Sequence, residues 1–269
     1  METPAANRDV VQQASRISSI TLWKAFLWFA LPGLAMLVGI QWLNPLLVAN
    51  GVPLIGSFLM LLYAPILVVG LAALVAYRRE GHPWTWRAFA NRMRLTRMRR
   101  QDWLWALGGL LVVMVGEVIL EPSTRWLAGI PLFVPPPSLP ALVDPFQPLA
   151  LPPTEFMGQT LLGNWWVAAV YAIALFVNIA GEEIAWRGYL LPRQERTHGR
   201  WAWLVNGLLW IFVLHAVLRW VYIGLLPTGL LTPYIAQRTQ NTWPAVIIHG
   251  AGNFVFLIFV VMGVLGIGT

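Results

Sequence analysis

The chain has 269 residues and a formal net charge of +7; 58% of its residues are hydrophobic and only 11% are charged. A soluble domain carries about twice that charged fraction, so the composition excludes an ordinary soluble globule and points to lipid. The absence of cysteine removes both a disulfide framework and a thiolate metal site.

Runs long enough to cross hydrocarbon, about 20 apolar residues each, predict seven spans: 22–43, 52–77, 103–120, 164–192, 201–218, 220–236 and 243–267. The expected fold is therefore all-α, a polytopic transmembrane helix bundle. Residues 1–21 are expected to form a cytoplasmic N-terminal tail and 22–269 a single membrane domain. The first run is too long for a signal-peptide core and has no small-residue cleavage site after it, so it reads as a retained span. Trp103, Trp165, Trp166, Trp201 and Trp243 stand at span ends, where an aromatic belt lies.

Between the second and third spans, residues 78–100 hold eight of the 18 basic residues. Trp84, Trp86, Phe89, Met93 and Leu95 interleave with the arginines, a pattern of an amphipathic basic segment on the cytoplasmic surface or of a solvated basic loop. Clustering beside span ends fits topology and anionic headgroups, so no nucleic-acid partner is expected. The same arginine asymmetry places the amino terminus in the cytoplasm and residues 121–163 on the opposite side. That stretch holds ten of the 20 prolines and no helical period, and reads as an extended cap or loop. The sixth span carries Pro227 and Pro233, which break or kink it.

Ionisable residues inside spans are functional candidates by default. No charge occurs from Phe156 to Gly181; Glu182, Glu183 and Arg187 then follow. Glu183 and Arg187 are four apart and share a helix face, whereas Glu182 points about 100° away. His215 stands alone in its span, and His249 projects with Asn253 one turn on. Counted from the cytoplasmic span ends, Glu182, His215, His249 and Asn253 lie roughly 9–21 Å deep. Three helices thus bring polar groups to one layer, which a shared water-accessible pocket explains. Glu117, near the outer end of its span, reads as interfacial, and Arg219 as snorkelling from a short outer turn.

The residue types narrow the chemistry. No serine follows Ser138, and Asp9, Asp102 and Asp144 all fall outside the spans, which argues against a serine nucleophile and an aspartyl dyad. An H-E-x-x-H zinc helix is absent. A glutamate acting as general base on water remains, with imidazole and amide donors for the oxyanion. Glu182, His215 and His249 could alternatively hold Zn2+ with an open position.

The motif "GEEIAWRGYLLPR" resembles the E-E-x-x-x-R signature of the CPBP family, the CAAX-protease and bacteriocin-processing (Abi) group of intramembrane endopeptidases. The likeness continues through "PTGLLTPYIAQRTQNTWPAVIIHGAGNF", whose H-x-x-x-N resembles the family's last motif, and covers about residues 160–257. It implies that Glu182 activates water, that His215 helps hold it, that His249 and Asn253 form the oxyanion site, and that Glu183 and Arg187 brace the helix. The family's middle motif is usually F-x-x-x-H; here Ile211 stands four before His215 with Phe212 beside it, a change of packing rather than chemistry. The resemblance assigns His249 to the oxyanion and so favours a metal-independent mechanism, with no cofactor, over the zinc alternative. Its implied partners are the bilayer and a peptide or protein substrate, lipidated or membrane-associated, cut near the cytoplasmic side. A non-catalytic immunity or transport protein is the competing class. A transporter usually shows repeated halves, and none are visible. Without an organelle signal, the expected location is a prokaryotic plasma membrane, as a multi-pass protein.

Overall fold

The computed structural model describes residues 17–147 and 150–268; most of the expected tail 1–21 lies outside them. The chain is a helical bundle whose only strands, among the described residues, are the two-residue pair Glu155–Phe156 and Gln159–Thr160. The helices are α1 Leu22–Val38, α2 Asn44–Ala49, α3 Leu54–Arg79, α4 Trp86–Arg92, α5 Arg100–Leu120, α6 Pro122–Ala128, α7 Trp165–Glu182, α8 Leu191–His198, α9 Ala202–Phe212, α10 Leu226–Thr239 and α11 Trp243–Leu265. A π-helical turn, Gly39–Leu43, joins α1 to α2, and another, Glu183–Leu190, joins α7 to α8.

Five helical stretches are long and apolar enough to cross a membrane: Leu22–Ala49, Leu54–Arg79, Arg100–Leu120, Trp165–Phe212 and Trp243–Leu265. The 48-residue stretch would be about 72 Å long if straight. It turns at Gly199, whose φ of 55° and ψ of −130° suit a residue without Cβ. Two expected spans thus fall within it. Helix α10, at 14 residues, is short for a lone span. None of residues 221–237 is exposed, so neighbouring helices shield its two prolines from lipid, the setting in which broken helices are tolerated.

Lipid-facing surfaces follow helical spacing. Leu104, Leu107, Leu111, Val115 and Val118 of α5 are all exposed and form one stripe at i, i+3, i+7, i+11 and i+14. Small residues set the closest helix crossings, as expected where packing replaces the hydrophobic effect. A Cβ on Gly70 of α3 would lie 3.1 Å from the Gly181 Cα of α7, and one on Gly207 of α9 would lie 2.5 Å from the Gly229 carbonyl oxygen of α10. The first crossing stands immediately before Glu182.

Between the end of α3 at Arg79 and the start of α5 at Arg100, the basic segment contains only the seven-residue helix α4. Trp84 and Trp86 are exposed, but two arginines turn inward. Arg92 donates to Glu80 through Nε (2.7 Å) and Nη2 (3.0 Å), and Arg193 of α8 also donates to Glu80. Arg94 makes a bidentate pair with Glu195, at 2.6 and 2.8 Å. These pairs clamp the segment onto α8.

At the other end, residues 121–147 and 150–163 form a cap held by side chains, with α6 as its main helix. Proline offers no N–H, so the cap's carbonyls find donors elsewhere. Arg219 donates to the Leu132 and Val134 carbonyls, Trp220 Nε1 to Val143 (3.0 Å) and Asn44 Nδ2 to Ser138 (2.9 Å). Arg219 was expected to snorkel toward water; it instead staples this cap.

Candidate active site

Helical stripes, among them those of α7, α11 and α5, surround a cavity of about 380 Å³. Helix α7 contributes Tyr171, Asn178 and Glu182; α11 contributes His249, Gly252, Asn253 and Phe256; α5 contributes Leu110, Val113, Met114 and Glu117. Each set repeats at three, four or seven residues, the spacing of one helix face. Trp210, His215 and Thr228 also line the space, and Leu142 and Val143 of the proline-rich segment help close it. All four residues expected to be catalytic, Glu182, His215, His249 and Asn253, therefore face one cavity.

Glu182 is the last residue of α7 and is buried. The Trp210 indole Nε1–H donates to its Oε2 at 2.5 Å. The next residue opens the π-helical turn, whose wider register is frequent at functional sites. Seven of its eight residues are buried, Glu183 and Arg187 among them. Arg187 Nη1 donates to Glu183 Oε1 at 3.0 Å, and its guanidinium lies over the Trp210 ring, 5.3 Å from the centroid. The expected pair exists, but it holds more than its own helix. Glu183 Oε1 also accepts from His249 Nδ1 at 2.8 Å, linking the π-helical turn to α11.

His215 reaches the cavity by a different route from a straight helix. Helix α9 ends at Phe212, and residues Leu214–Val221 form tighter 3₁₀ turns broken at His215 (φ −85°, ψ 20°) and Leu218. The Trp210 carbonyl is one of the acceptors a helix end leaves without an intrahelical donor. His215 Nδ1–H supplies it, at 2.9 Å. A carbonyl only accepts, so Nδ1 carries the proton and the neutral ring keeps Nε2 as an acceptor. The imidazole also packs on the Trp210 ring, with centroids 4.1 Å apart. Ile211, in place of the family's usual phenylalanine, is fully buried against Gly229, whereas Phe212 is exposed.

Asn253 Nδ2 donates to the carbonyl of His249, one turn earlier, at 3.0 Å. This leaves its second N–H and its amide oxygen for other partners. For a metal, among the described residues no three His, Asp or Glu side chains come together as a ligand group. Glu182, His215 and His249 share the cavity without forming such a set.

Two residues stand out that the spacing argument did not assign. Trp210 touches Glu182, His215 and Arg187 at once; its only sequence signal is its position five before His215. Glu117, read as interfacial, instead lines the cavity and is hydrogen-bonded by the Thr228 hydroxyl. The cavity extends along the helices, so distance from the glutamate layer did not separate Glu117 from the site.

No curated protein and no solved structure matches the chain. Residues 164–255 match the sequence model of the family described as type II CAAX prenyl endopeptidase Rce1-like. The match runs from the start of α7 through Asn253 and takes in Glu182, Glu183, Arg187, His215 and His249. Over this stretch, about a third of the chain, the sequence is similar to Rce1-like CAAX prenyl endopeptidases, consistent with the CPBP family, and that similarity implies peptide-hydrolase activity.

Proposed function

We propose that this domain hydrolyses a peptide bond with water activated by Glu182. The observation that supports it best is the convergence of Glu182, His215, His249 and Asn253 on one cavity. Trp210 holds one oxygen of the Glu182 carboxylate, which leaves the other for water. His215, fixed through Nδ1, offers Nε2 as an acceptor for a second water hydrogen.

As Glu182 takes the water proton, the oxygen adds to the carbonyl carbon of the substrate. The resulting oxyanion is met by the free Asn253 N–H and by His249 Nε2–H, when the ring carries protons on both nitrogens. Donors placed where charge develops supply much of such a rate enhancement. The C–N bond then breaks, and Glu182 returns its proton to the departing amine. Glu183, bound to both Arg187 and His249, positions the His249 ring.

The substrate in this reading is a lipidated or membrane-associated peptide or protein, with no nucleic acid involved. It enters from the cytoplasmic side, because the arginine-rich end of the bundle is the cytoplasmic one by charge asymmetry. The amino terminus is then cytoplasmic and the host membrane a prokaryotic plasma membrane. No cofactor is assigned a step. The test is cleavage of membrane-anchored peptides by purified protein in nanodiscs, followed by mass spectrometry. Glu182→Gln should abolish cleavage while cooperative unfolding persists; wild-type turnover by that variant would end the assignment.

A further inference from the structure

The cavity contains a second carboxylate that the proposed mechanism does not use. Glu117 is the only charged residue of α5 beyond Asp102, and it continues the Leu110, Val113 and Met114 stripe into the cavity. Its position is fixed by a close helix crossing. A Cβ on Gly116 would lie 2.8 Å from Pro227 Cγ, so the absence of a side chain there lets α5 meet the start of α10. Thr228 then donates its hydroxyl to Glu117 Oε1. Among the described residues, no Lys, Arg or His forms a salt bridge with Glu117.

An acid in a membrane helix is costly, and a lone interhelical hydrogen bond returns less than the acid costs. A glutamine could make the same bond to Thr228. What glutamate adds is negative charge facing the cavity, which it shares with His249 and with Leu110, Val113 and Met114 of its own helix face, and such a charge attracts cations strongly at low dielectric. We propose that Glu117 and Thr228 form a specificity subsite for a cationic group of the substrate, a lysine or arginine side chain or a free amino terminus. This rests on the peptide-hydrolase reading for its ligand class but assigns Glu117 no part in bond cleavage.

Binding can be measured without cleavage in the Glu182→Gln protein, which also removes the other carboxylate as a source of cation preference. Acetylated hexapeptide amides, with one position walked as lysine, norleucine or glutamate, serve as probes in nanodiscs. At one position the lysine peptide should bind about tenfold or more tighter than its norleucine counterpart, and the glutamate peptide weakest. Adding Glu117→Gln should erase the difference and Glu117→Lys should reverse it. Thr228→Val should reduce it, a second variant that leaves the charge in place. Absence of any lysine preference, or a preference surviving Glu117→Gln in cooperatively folded protein, overturns the subsite. The same peptides given to protein retaining Glu182 separate the two claims. Cleavage without charge preference removes the subsite alone, and charge-selective binding without cleavage removes the glutamate mechanism alone.

Discussion

Glu183 accepts hydrogen bonds on a single oxygen from both His249 Nδ1, at 2.8 Å, and Arg187 Nη1, at 3.0 Å. The consequence is a fixed imidazole. A histidine on α11 would otherwise rotate about two side-chain bonds; the carboxylate on the neighbouring helix selects one orientation and directs Nε2 away from Glu183. An outer partner that fixes ring orientation commonly decides what the other ring nitrogen can do.

The ion pair should therefore matter for both stability and rate. Arg187→Ala leaves the buried Glu183 carboxylate with His249 as its remaining partner, and breaking a buried ion pair costs about 3–5 kcal/mol. Thermal unfolding in detergent should show a clear drop in midpoint. Glu183→Ala should instead depress kcat more than KM, because the mobile His249 ring no longer meets the oxyanion. Unchanged stability in Arg187→Ala would remove the brace.

The long helices were legible because hydrocarbon demands long apolar runs, though five spanning stretches stand where seven spans were expected and the sixth is the short helix α10; the Glu182, His249 and Asn253 faces were legible because helical spacing survives in lipid. The end of α9 was not legible. Residues Val213 to Val221 are almost wholly apolar and contain neither glycine nor proline, so the local sequence has no stop signal. The helix ends where the His215 side chain competes for the Trp210 carbonyl. Trp210 itself was hidden for another reason: an indole in a membrane protein reads first as an interfacial anchor. The inward turn of Arg92 depends on Glu80, 12 residues away in sequence, and local charge counting treats both as solvated.

That clamp has an acid signature. Burial alone would raise the Glu80 carboxyl above its ordinary value of 4.5, but hydrogen bonds and charge from Arg92, then Arg193, bring it down to about 2. A depressed carboxyl stabilises the fold above its unfolded value and loses that contribution as pH falls through the folded one. Glu80→Gln should unfold at a lower temperature than wild type at pH 7. The gap should narrow between about pH 4.5 and pH 2. A gap independent of pH across that window would show that Glu80 contributes by packing instead.

Orientation can be read chemically because the chain has no cysteine. Ser138 is exposed on the proline-rich cap, so Ser138→Cys supplies one accessible thiol. A membrane-impermeant thiol reagent should label it in intact cells. Labelling that appears only after the membrane is opened would reverse the assigned topology, and with it the side from which substrate enters.

The two chemistries open to these residues make opposite forecasts. With Glu182 as general base, Asn253→Ala removes one oxyanion donor and should retain turnover reduced about 10²–10³-fold. Glu182→Gln removes proton transfer itself and should fall further. Strong chelators followed by buffer exchange should leave the wild-type rate unchanged, since no step uses a metal. A zinc centre would behave differently: chelation would silence the protein, zinc would restore it, and about one ion per chain would be found. His215→Ala and His249→Ala should then each lose that ion. Under the glutamate mechanism the same two variants change rate without changing metal content, because His215 caps the end of α9 and His249 leans on Glu183. Metal analysis of the histidine variants therefore decides the mechanism even where their activities are too low to compare.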